Sequence, residues 1–191
     1  KLMPARRTAA DTVTVYDKAP TEGGTAEYQF EHLRQQSDKA SGKPNFSLAD
    51  FISPSEAHTD YLGGFTVSIV GTEALAEKYK AAGDDYNAIM VQALSDRLAE
   101  AFAEHLHELI RKEYWGYQPT ESLSNDEMIK EKYVGIRPAP GYPACPEHTE
   151  KGKLFDWLGT VDAIGTRLTE SYAMWPASSV SGFYYSHPES E

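Results

Sequence analysis

Cysteine is nearly absent from this sequence, whose 191 residues contain a single one, Cys145. The chain can therefore form no internal disulfide, and its stability must come from a hydrophobic core, which a chain of this length is able to bury. Such low cysteine usage is typical of proteins in a reducing compartment, and we predict a cytoplasmic location. The sequence also lacks any apolar run near the roughly 18–20 residues that span a bilayer, so we expect no membrane partner.

Basic residues are scarce relative to acidic ones. The chain has 18 Lys and Arg against 29 Asp and Glu, which gives a net charge of −11. Nucleic-acid binding requires a basic surface that displaces counterions from phosphates, so this balance argues against a nucleic-acid partner. Hydrophobic residues make up 40% of the chain and aromatic residues 12%, which is typical of a folded globular protein and not of a disordered one.

Alternating polar and apolar side chains predict several strands. The clearest are residues 12–16 and 61–70, which have the period of two that a half-buried strand requires. The remaining strand-like segments are residues 46–52, 168–174 and 180–186, with residues 28–33 fitting either a strand or a helix.

From Thr72 onward the hydrophobic period becomes that of a helix. A first helix is predicted over residues 72–82, and Asp84 is a suitable N-cap for a long helix near residues 85–114. Shorter helices are predicted over residues 124–133 and 148–158. The apolar side chains of the long helix recur every 3.6 residues, and we expect them to be buried against a sheet or another helix. They are Tyr86, Met90, Leu94, Leu98, Ala101, Phe102, Leu106, Leu109 and Ile110.

This order of elements predicts the fold class. Strands come first, helices follow, and strands return at the end of the sequence, which is typical of an α+β fold with a mostly antiparallel sheet. We therefore predict an α+β domain whose sheet is flanked by helices, one of them long.

A proline-rich loop at residues 135–148 is the strongest chemical signal. Four prolines within nine residues fix φ and favour extended backbone, and we expect a stiff loop with unpaired, outward-facing carbonyls. Arg137 offers a planar fork of donors for a carboxylate or phosphate, Gly141 permits close approach to the backbone, and Tyr142 can stack on a planar ring. The loop suits a nucleotide that carries an amino acid; the alternative is a surface connection with an incidental arginine.

The loop also resembles a known sequence. Residues 137–143, followed by residues 145–151, resemble the S-adenosylmethionine-binding loop of the activation domain of cobalamin-dependent methionine synthase. The resemblance covers nearly the whole chain, because further segments agree in order and spacing. These are residues 32–36, 48–51, 84–87, 93–106, 114–117, 168–171, 173–176 and 180–182.

The resemblance implies a fold and a function. It implies a C-shaped domain with a bent antiparallel sheet. Residues 1–191 would form most of that domain, which would be truncated at both ends. It also implies a module of a methyltransferase of methionine biosynthesis, which transfers a methyl group from methyltetrahydrofolate to homocysteine. In that family the module binds S-adenosylmethionine and supports the reductive methylation of cob(II)alamin to methylcobalamin.

The implied partners are two. One is the cobalamin-binding module of the same polypeptide, and the other is flavodoxin or a related flavoprotein that donates the electron. Two other functions stay open: a standalone S-adenosylmethionine-binding module that acts in trans on a separate corrinoid protein, and an acidic interaction domain whose loop is purely structural.

The resemblance also implies roles for loop residues. Arg137 corresponds to the arginine that holds the carboxylate of S-adenosylmethionine. Gly141 and Tyr142 correspond to loop residues that shape the site and meet the corrin face, and Ala139 is a further cofactor-binding position of the same loop. Part of the family's site, an upstream aspartate and a downstream tyrosine pair, corresponds to positions outside residues 1–191, so we expect a reduced ligand affinity.

Two acidic residues on the long helix complete the implied site. Glu100 corresponds to a glutamate near the amino group of the ligand, and Asp96 to an aspartate that meets the histidine displaced from cobalt. They lie one helical turn apart, so both carboxylates share a face; the alternatives are solvated helix charges or a surface salt bridge. We predict no catalytic residue in the chain, because the work of such a module is to orient reactive groups that the cofactors supply.

Two further expectations concern metals and electron transfer. Cys145 and His148 are three residues apart, but two ligands without partners are a weak metal signal, and we predict no metal site. Because flavodoxins are themselves acidic, docking would require a local basic patch. The candidates are Arg111, Lys112, Lys130, Lys132, Lys151 and Lys153.

Overall fold

The computed structural model describes residues 1–40 and 42–190. The strands are β1 (Leu2–Arg7), β2 (Thr12–Tyr16), β3 (Ala26–Glu31), β4 (Asp60–Ser68), β5 (Arg167–Leu168), β6 (Met174–Trp175) and β7 (Ser179–Tyr184). The helices are α1 (Thr72–Ala81), α2 (Asp85–Leu109), α3 (Asn125–Ile129), α4 (Glu150–Leu158) and α5 (Thr160–Ile164), with 3-10 turns at Pro20–Glu22 and Leu48–Phe51 and a π-helical turn at Ile110–Tyr114. Within the described ranges no helix is both long and apolar enough to cross a bilayer.

Five strands form one antiparallel sheet in the order β3-β2-β1-β4-β7. β4 lies between β1 and β7, and its register with β7 sets Phe65 opposite Gly182. β5 and β6 form a separate two-stranded sheet. The predicted α+β fold with an antiparallel sheet is confirmed, as is the long helix, which continues from α2 into the π-helical turn.

The two faces of the sheet are covered by different elements. On one face Phe30, Phe183 and Tyr185 belong to a buried cluster that includes Leu154 and Trp157 of α4. On the other face Phe65, Val67 and Tyr184 pack with Ala103 of α2. Since side chains alternate along a strand, Phe183 and Tyr185 point to the α4 face, whereas Tyr184 between them points to α2.

The predicted burial of the long helix's apolar side chains is wrong for most of them. Tyr86, Met90, Leu94, Leu98 and Phe102 are all exposed, from 46% for Met90 to 72% for Tyr86. The buried positions of α2 are Ala88, Ser95, Ala99, Ala103 and His107.

The reason is that α2 carries two ridges with the same spacing. Ser95, Ala99, Ala103 and His107 recur every four residues, one position away from the ridge of large apolar side chains. The small side chains allow α2 to lie close to the sheet, and the Thr72 hydroxyl of α1 donates a hydrogen bond to Ser95 Oγ (2.7 Å). Periodicity alone cannot distinguish the two ridges.

Several element boundaries also differ from the prediction. Residues 46–52 are not a strand but contain a 3-10 turn, because Ser47 and Asp50 form a capping box around it. Residues 168–174 are not one strand, because Leu168 ends β5, Met174 begins β6 and the residues between them form a turn. α3 ends at Ile129, well before the predicted Tyr133, and α4 begins at Glu150 instead of residue 148.

Two fully buried histidines lie in these packed regions. His32 is 1% exposed, and its Nε2 forms a hydrogen bond with the Tyr185 hydroxyl (2.8 Å). Burial lowers the pKa of His32 to about 4. His107 is 0% exposed, and burial, reinforced by the charges of Arg111 and Arg137, lowers its pKa to about 2. Both imidazoles are therefore neutral in the folded protein at neutral pH.

The folded protein should lose stability as the pH falls below about 6.5. In the unfolded state each histidine takes up a proton near its ordinary pKa, whereas in the folded state His32 does so only near pH 4 and His107 near pH 2. Each therefore lowers the free energy of unfolding by up to about 1.4 kcal/mol per pH unit below 6.5. Urea unfolding of the wild type at pH 5, 6 and 7 measures the slope.

His32→Gln should remove about half of this slope between pH 6 and pH 5. His58→Gln, which changes an exposed histidine, should leave the slope unchanged. An identical slope in His32→Gln and wild type would contradict the assignment.

Candidate functional site

The proline-rich loop continues the sheet beyond β7. Ile136 and Tyr185 exchange two backbone hydrogen bonds, both 3.0 Å, and the Phe183 N–H donates to the Pro138 carbonyl (2.9 Å). The expectation of unpaired carbonyls is therefore wrong for Ile136 and Pro138. The prolines of the loop lack amide donors, but the loop still has backbone carbonyls that accept hydrogen bonds. The N–H groups on the open edge of β7 and at Tyr185 donate to them.

Gly182 makes this docking possible. A Cβ atom at Gly182 would lie 2.7 Å from the Pro138 carbonyl oxygen and 3.1 Å from the Phe65 ring. Any larger residue would therefore push the loop away from β7.

The pairing determines which way Arg137 points. Ile136 packs against the cluster on the α4 face. Because side chains alternate along extended backbone, Arg137 points to the opposite face, where α2 lies. There its Nη2 is 2.6 Å from Glu104 Oε2, and its Nη1 donates to the Tyr133 hydroxyl (2.9 Å).

His107 is the third residue against this guanidinium. Its Nδ1 lies 3.4 Å from Arg137 Nη1, and its ring stacks on that of Tyr184 with centroids 5.1 Å apart. A guanidinium has no acceptor, so Nδ1 must accept the hydrogen bond and the neutral ring carries its proton on Nε2.

Arg111 packs against Tyr133, one of the residues that contact Arg137. It is fully buried and donates two hydrogen bonds to the Glu121 carboxylate, both 2.8 Å. Its guanidinium lies 4.0 Å from the centre of the Tyr133 ring, a cation–π contact.

A cavity of about 890 Å³ opens beside Arg137. Arg137, Tyr133 and Pro138 contribute to its wall, together with Ser190 near the end of the described chain. Lys130 and Lys132 also line it. Its size is within the range of pockets that bind small molecules.

The rest of the loop forms a tight turn, and Ala144 within it also lines the cavity. Gly141 has φ +98° and donates its N–H to the Cys145 carbonyl (2.7 Å), and a Cβ atom at this position would clash with the His148 ring. The Tyr142 N–H donates to the Ala139 carbonyl (3.3 Å), and the Tyr142 side chain is 66% exposed.

Cys145 behaves as a core residue. It is buried, and its burial raises the pKa of the thiol to about 12, so it stays protonated. Among residues 1–40 and 42–190 no group of three or more His, Cys, Asp or Glu side chains is placed to hold a metal ion.

The acidic residues of α2 form a ridge that leads to the loop. Asp96, Glu100 and Glu104 recur every four residues, so Asp96 and Glu104 lie about 12 Å apart along the helix. Asp96 and Glu100 are both exposed to solvent, and Asp96 Oδ1 accepts a hydrogen bond from the Ser178 hydroxyl (2.7 Å). Glu104, and not Glu100, is the residue that contacts Arg137.

The structure removes two residues from the basic patch predicted for flavodoxin docking. Arg111 is fully buried against Glu121, and Lys151 is buried with its Nζ donating to the Tyr172 carbonyl (3.1 Å), so neither belongs to a surface. Lys130 and Lys132 remain exposed at the cavity.

Three residues around Arg137 were not singled out as site residues from the sequence: Glu104, His107 and Tyr133. Glu104 could have been found, because it follows Asp96 and Glu100 at the same helical spacing. Tyr133 lies outside any regular element, and His107 differs from the exposed His105 only in facing the sheet, so neither has a sequence signal.

Gly182→Ala should destabilise the protein because the added methyl group meets the Pro138 carbonyl. Overpacking of this kind costs about 1–3 kcal/mol in the free energy of unfolding, which urea unfolding measures. Gly152→Ala is the matched control: its Cβ would meet only the Tyr172 ring, at 3.5 Å, and alanine favours the helix. Equal stability of Gly182→Ala and wild type would show that the loop does not depend on close approach to β7.

Comparison with known proteins shows the family to which this chain belongs. The family model described as "Vitamin B12 dependent methionine synthase, activation domain" matches residues 1–191. A crystal structure of the MetH reactivation domain bound to AdoHcy has 53% sequence identity and a TM-score of 0.93, and the match covers 100% of this chain and 58% of that one. The chain thus spans less than two thirds of the solved relative. With the whole sequence matched by the family model, the chain belongs to the activation domains of vitamin B12-dependent methionine synthases.

Proposed function

We propose that this chain binds S-adenosylmethionine, and its demethylated product S-adenosylhomocysteine, in the cavity beside Arg137. The observation that carries the proposal is the placement of Arg137 in the cavity wall with its Nε lacking an acceptor among residues 1–40 and 42–190. A guanidinium binds a carboxylate through two parallel N–H groups, and the Nε–Nη2 edge offers that pair. The 53% identical relative is bound to AdoHcy, which carries this carboxylate.

The remaining groups of the ligand have partners nearby. The α-ammonium and the sulfonium of S-adenosylmethionine are cations, and the acidic ridge of α2 ends at Glu104, which contacts Arg137. We assign Glu100 to the ammonium group because it is exposed one helical turn from Glu104. Ala139 and Gly141 belong to the tight turn that shapes the loop beside the ligand.

The same module supports the reductive methylation of cobalamin in this proposal. Bound cobalamin, carried by another module of the polypeptide, supplies the nucleophilic cobalt. Tyr142 fits contact with a flat corrin because its ring is 66% exposed at the tip of the loop. The task of this chain is to hold the activated methyl group in line with that partner, so it needs no nucleophile or general base.

Two further contacts are part of the proposal. Asp96 stands two helical turns from Glu104, with Ser178 holding one carboxylate oxygen, and it would meet a histidine of the cobalamin-binding module. Lys130 and Lys132 are exposed beside the cavity and would attract an acidic flavoprotein such as flavodoxin. Both contacts, and the methyltransferase activity itself, belong to the longer polypeptide.

Arg137→Ala should weaken ligand binding about 10- to 100-fold. The variant loses charge-assisted hydrogen bonds to the carboxylate, which contribute about 1.5–3 kcal/mol. Calorimetric titration of S-adenosylmethionine and S-adenosylhomocysteine into wild type and variant measures the change.

Arg6→Ala is the matched control. It removes an arginine on β1 that pairs with the exposed Glu56 far along the sheet from the loop, and it should bind as wild type does. Equal dissociation constants for Arg137→Ala and wild type would refute the assignment of Arg137, and a wild type without heat of binding would refute the proposed function.

A further inference from the structure

We propose that His107 and Tyr133 are positioning residues that hold the Arg137 guanidinium by its Nη1 end and leave the Nε–Nη2 edge for the ligand's carboxylate. The inference rests on the proposed function and goes beyond it, because it assigns roles to two residues that act on the ligand through Arg137.

The first step is the saturation of Nη1. This nitrogen has two N–H groups, and two acceptors face it: the Tyr133 hydroxyl at 2.9 Å and His107 Nδ1 at 3.4 Å. Tyr133 lies after α3, and His107 lies on α2. Two acceptors from separate segments of the chain fix both the plane of the guanidinium and its rotation within that plane.

The second step concerns His107, whose surroundings keep the imidazole neutral, so that its Nδ1 can accept a hydrogen bond. The ring is fully buried between Tyr184 and Tyr133, and the neighbouring guanidinium groups of Arg111 and Arg137 oppose a second proton. Its Nε2 is buried with no hydrogen-bond partner anywhere in the described chain. A buried N–H without a partner destabilises the fold, so packing alone does not account for an imidazole here.

The third step is the rigidity of the Tyr133 hydroxyl. Arg111 lies over one face of the ring at 4.0 Å, and the His107 ring meets it edge-on at 5.0 Å. Arg111 is itself fixed by its two hydrogen bonds to Glu121. The hydroxyl therefore has a defined place although no helix or strand contains Tyr133.

The fourth step is the edge that remains. Glu104 Oε2 stands 2.6 Å from Nη2 and balances the charge of the guanidinium. The structure places no acceptor at Nε within residues 1–40 and 42–190. A carboxylate that enters the cavity can take Nε and share Nη2 with Glu104, and it finds the fork already oriented.

Tyr133→Phe tests the positioning role directly. The variant keeps the ring that Arg111 and His107 contact and removes only the acceptor for Nη1. We expect about tenfold weaker binding of S-adenosylhomocysteine by calorimetry, with an unchanged midpoint of thermal unfolding. Tyr117→Phe is the matched control, because the Tyr117 hydroxyl donates to the Val134 carbonyl (3.3 Å) in the same region and should leave the affinity unchanged.

A second ligand separates positioning from a general structural effect. 5′-Methylthioadenosine has the nucleoside and the thioether but no amino-acid carboxylate, so Tyr133→Phe should bind it as tightly as wild type does. The double variant Tyr133→Phe/Arg137→Ala should bind S-adenosylhomocysteine as Arg137→Ala alone does, because the hydroxyl acts through the arginine.

The contradicting outcomes are distinct. Equal weakening for both ligands, additive losses in the double variant, or wild-type affinity in Tyr133→Phe would each overturn the positioning role while the proposed function stands. Absence of S-adenosylhomocysteine binding by the wild type would overturn the proposed function, and this assignment with it.

Discussion

The backbone pairing between residues 136–138 and the edge of β7 is the constraint on which the site depends. Three hydrogen bonds fix the register of this loop against Phe183 and Tyr185. Since side chains alternate, that register places Ile136 in the core and Arg137 on the α2 face. A shift by one residue would bury the arginine against aromatic rings. The cavity would then lose the only guanidinium that the described residues contribute to its wall.

The long helix α2 serves the site through its small side chains. Ala99 and Ala103 allow the helix to lie on the sheet, and one further turn brings His107 beside Tyr184. Glu104 and Arg111 lie on the same side and complete the surroundings of Arg137 and Tyr133. The π-helical turn at Ile110–Tyr114 follows directly, and Arg111 lies within it.

The sequence predicted the fold class, the long helix and the loop, because these depend on local periodicity and composition. It could not predict which ridge of α2 is buried. Alanine and serine recur every four residues, but leucine and phenylalanine recur one position away with the same spacing and are more hydrophobic. Residues 46–52 are apolar enough for a strand, but the Ser47–Asp50 capping box turns them. The chemistry of the loop and the resemblance both point to Arg137, whereas Tyr133 and His107 become its partners only through tertiary packing.

A crystal structure of this chain with S-adenosylhomocysteine tests the central claim most directly. The account predicts the ligand in the cavity beside Arg137, with its carboxylate oxygens about 2.7–3.1 Å from Arg137 Nε and Nη2. It also predicts that Nη1 keeps its contacts with Tyr133 and His107. A ligand bound elsewhere, or a carboxylate turned to solvent while Arg137 stays paired with Glu104 alone, would contradict the account.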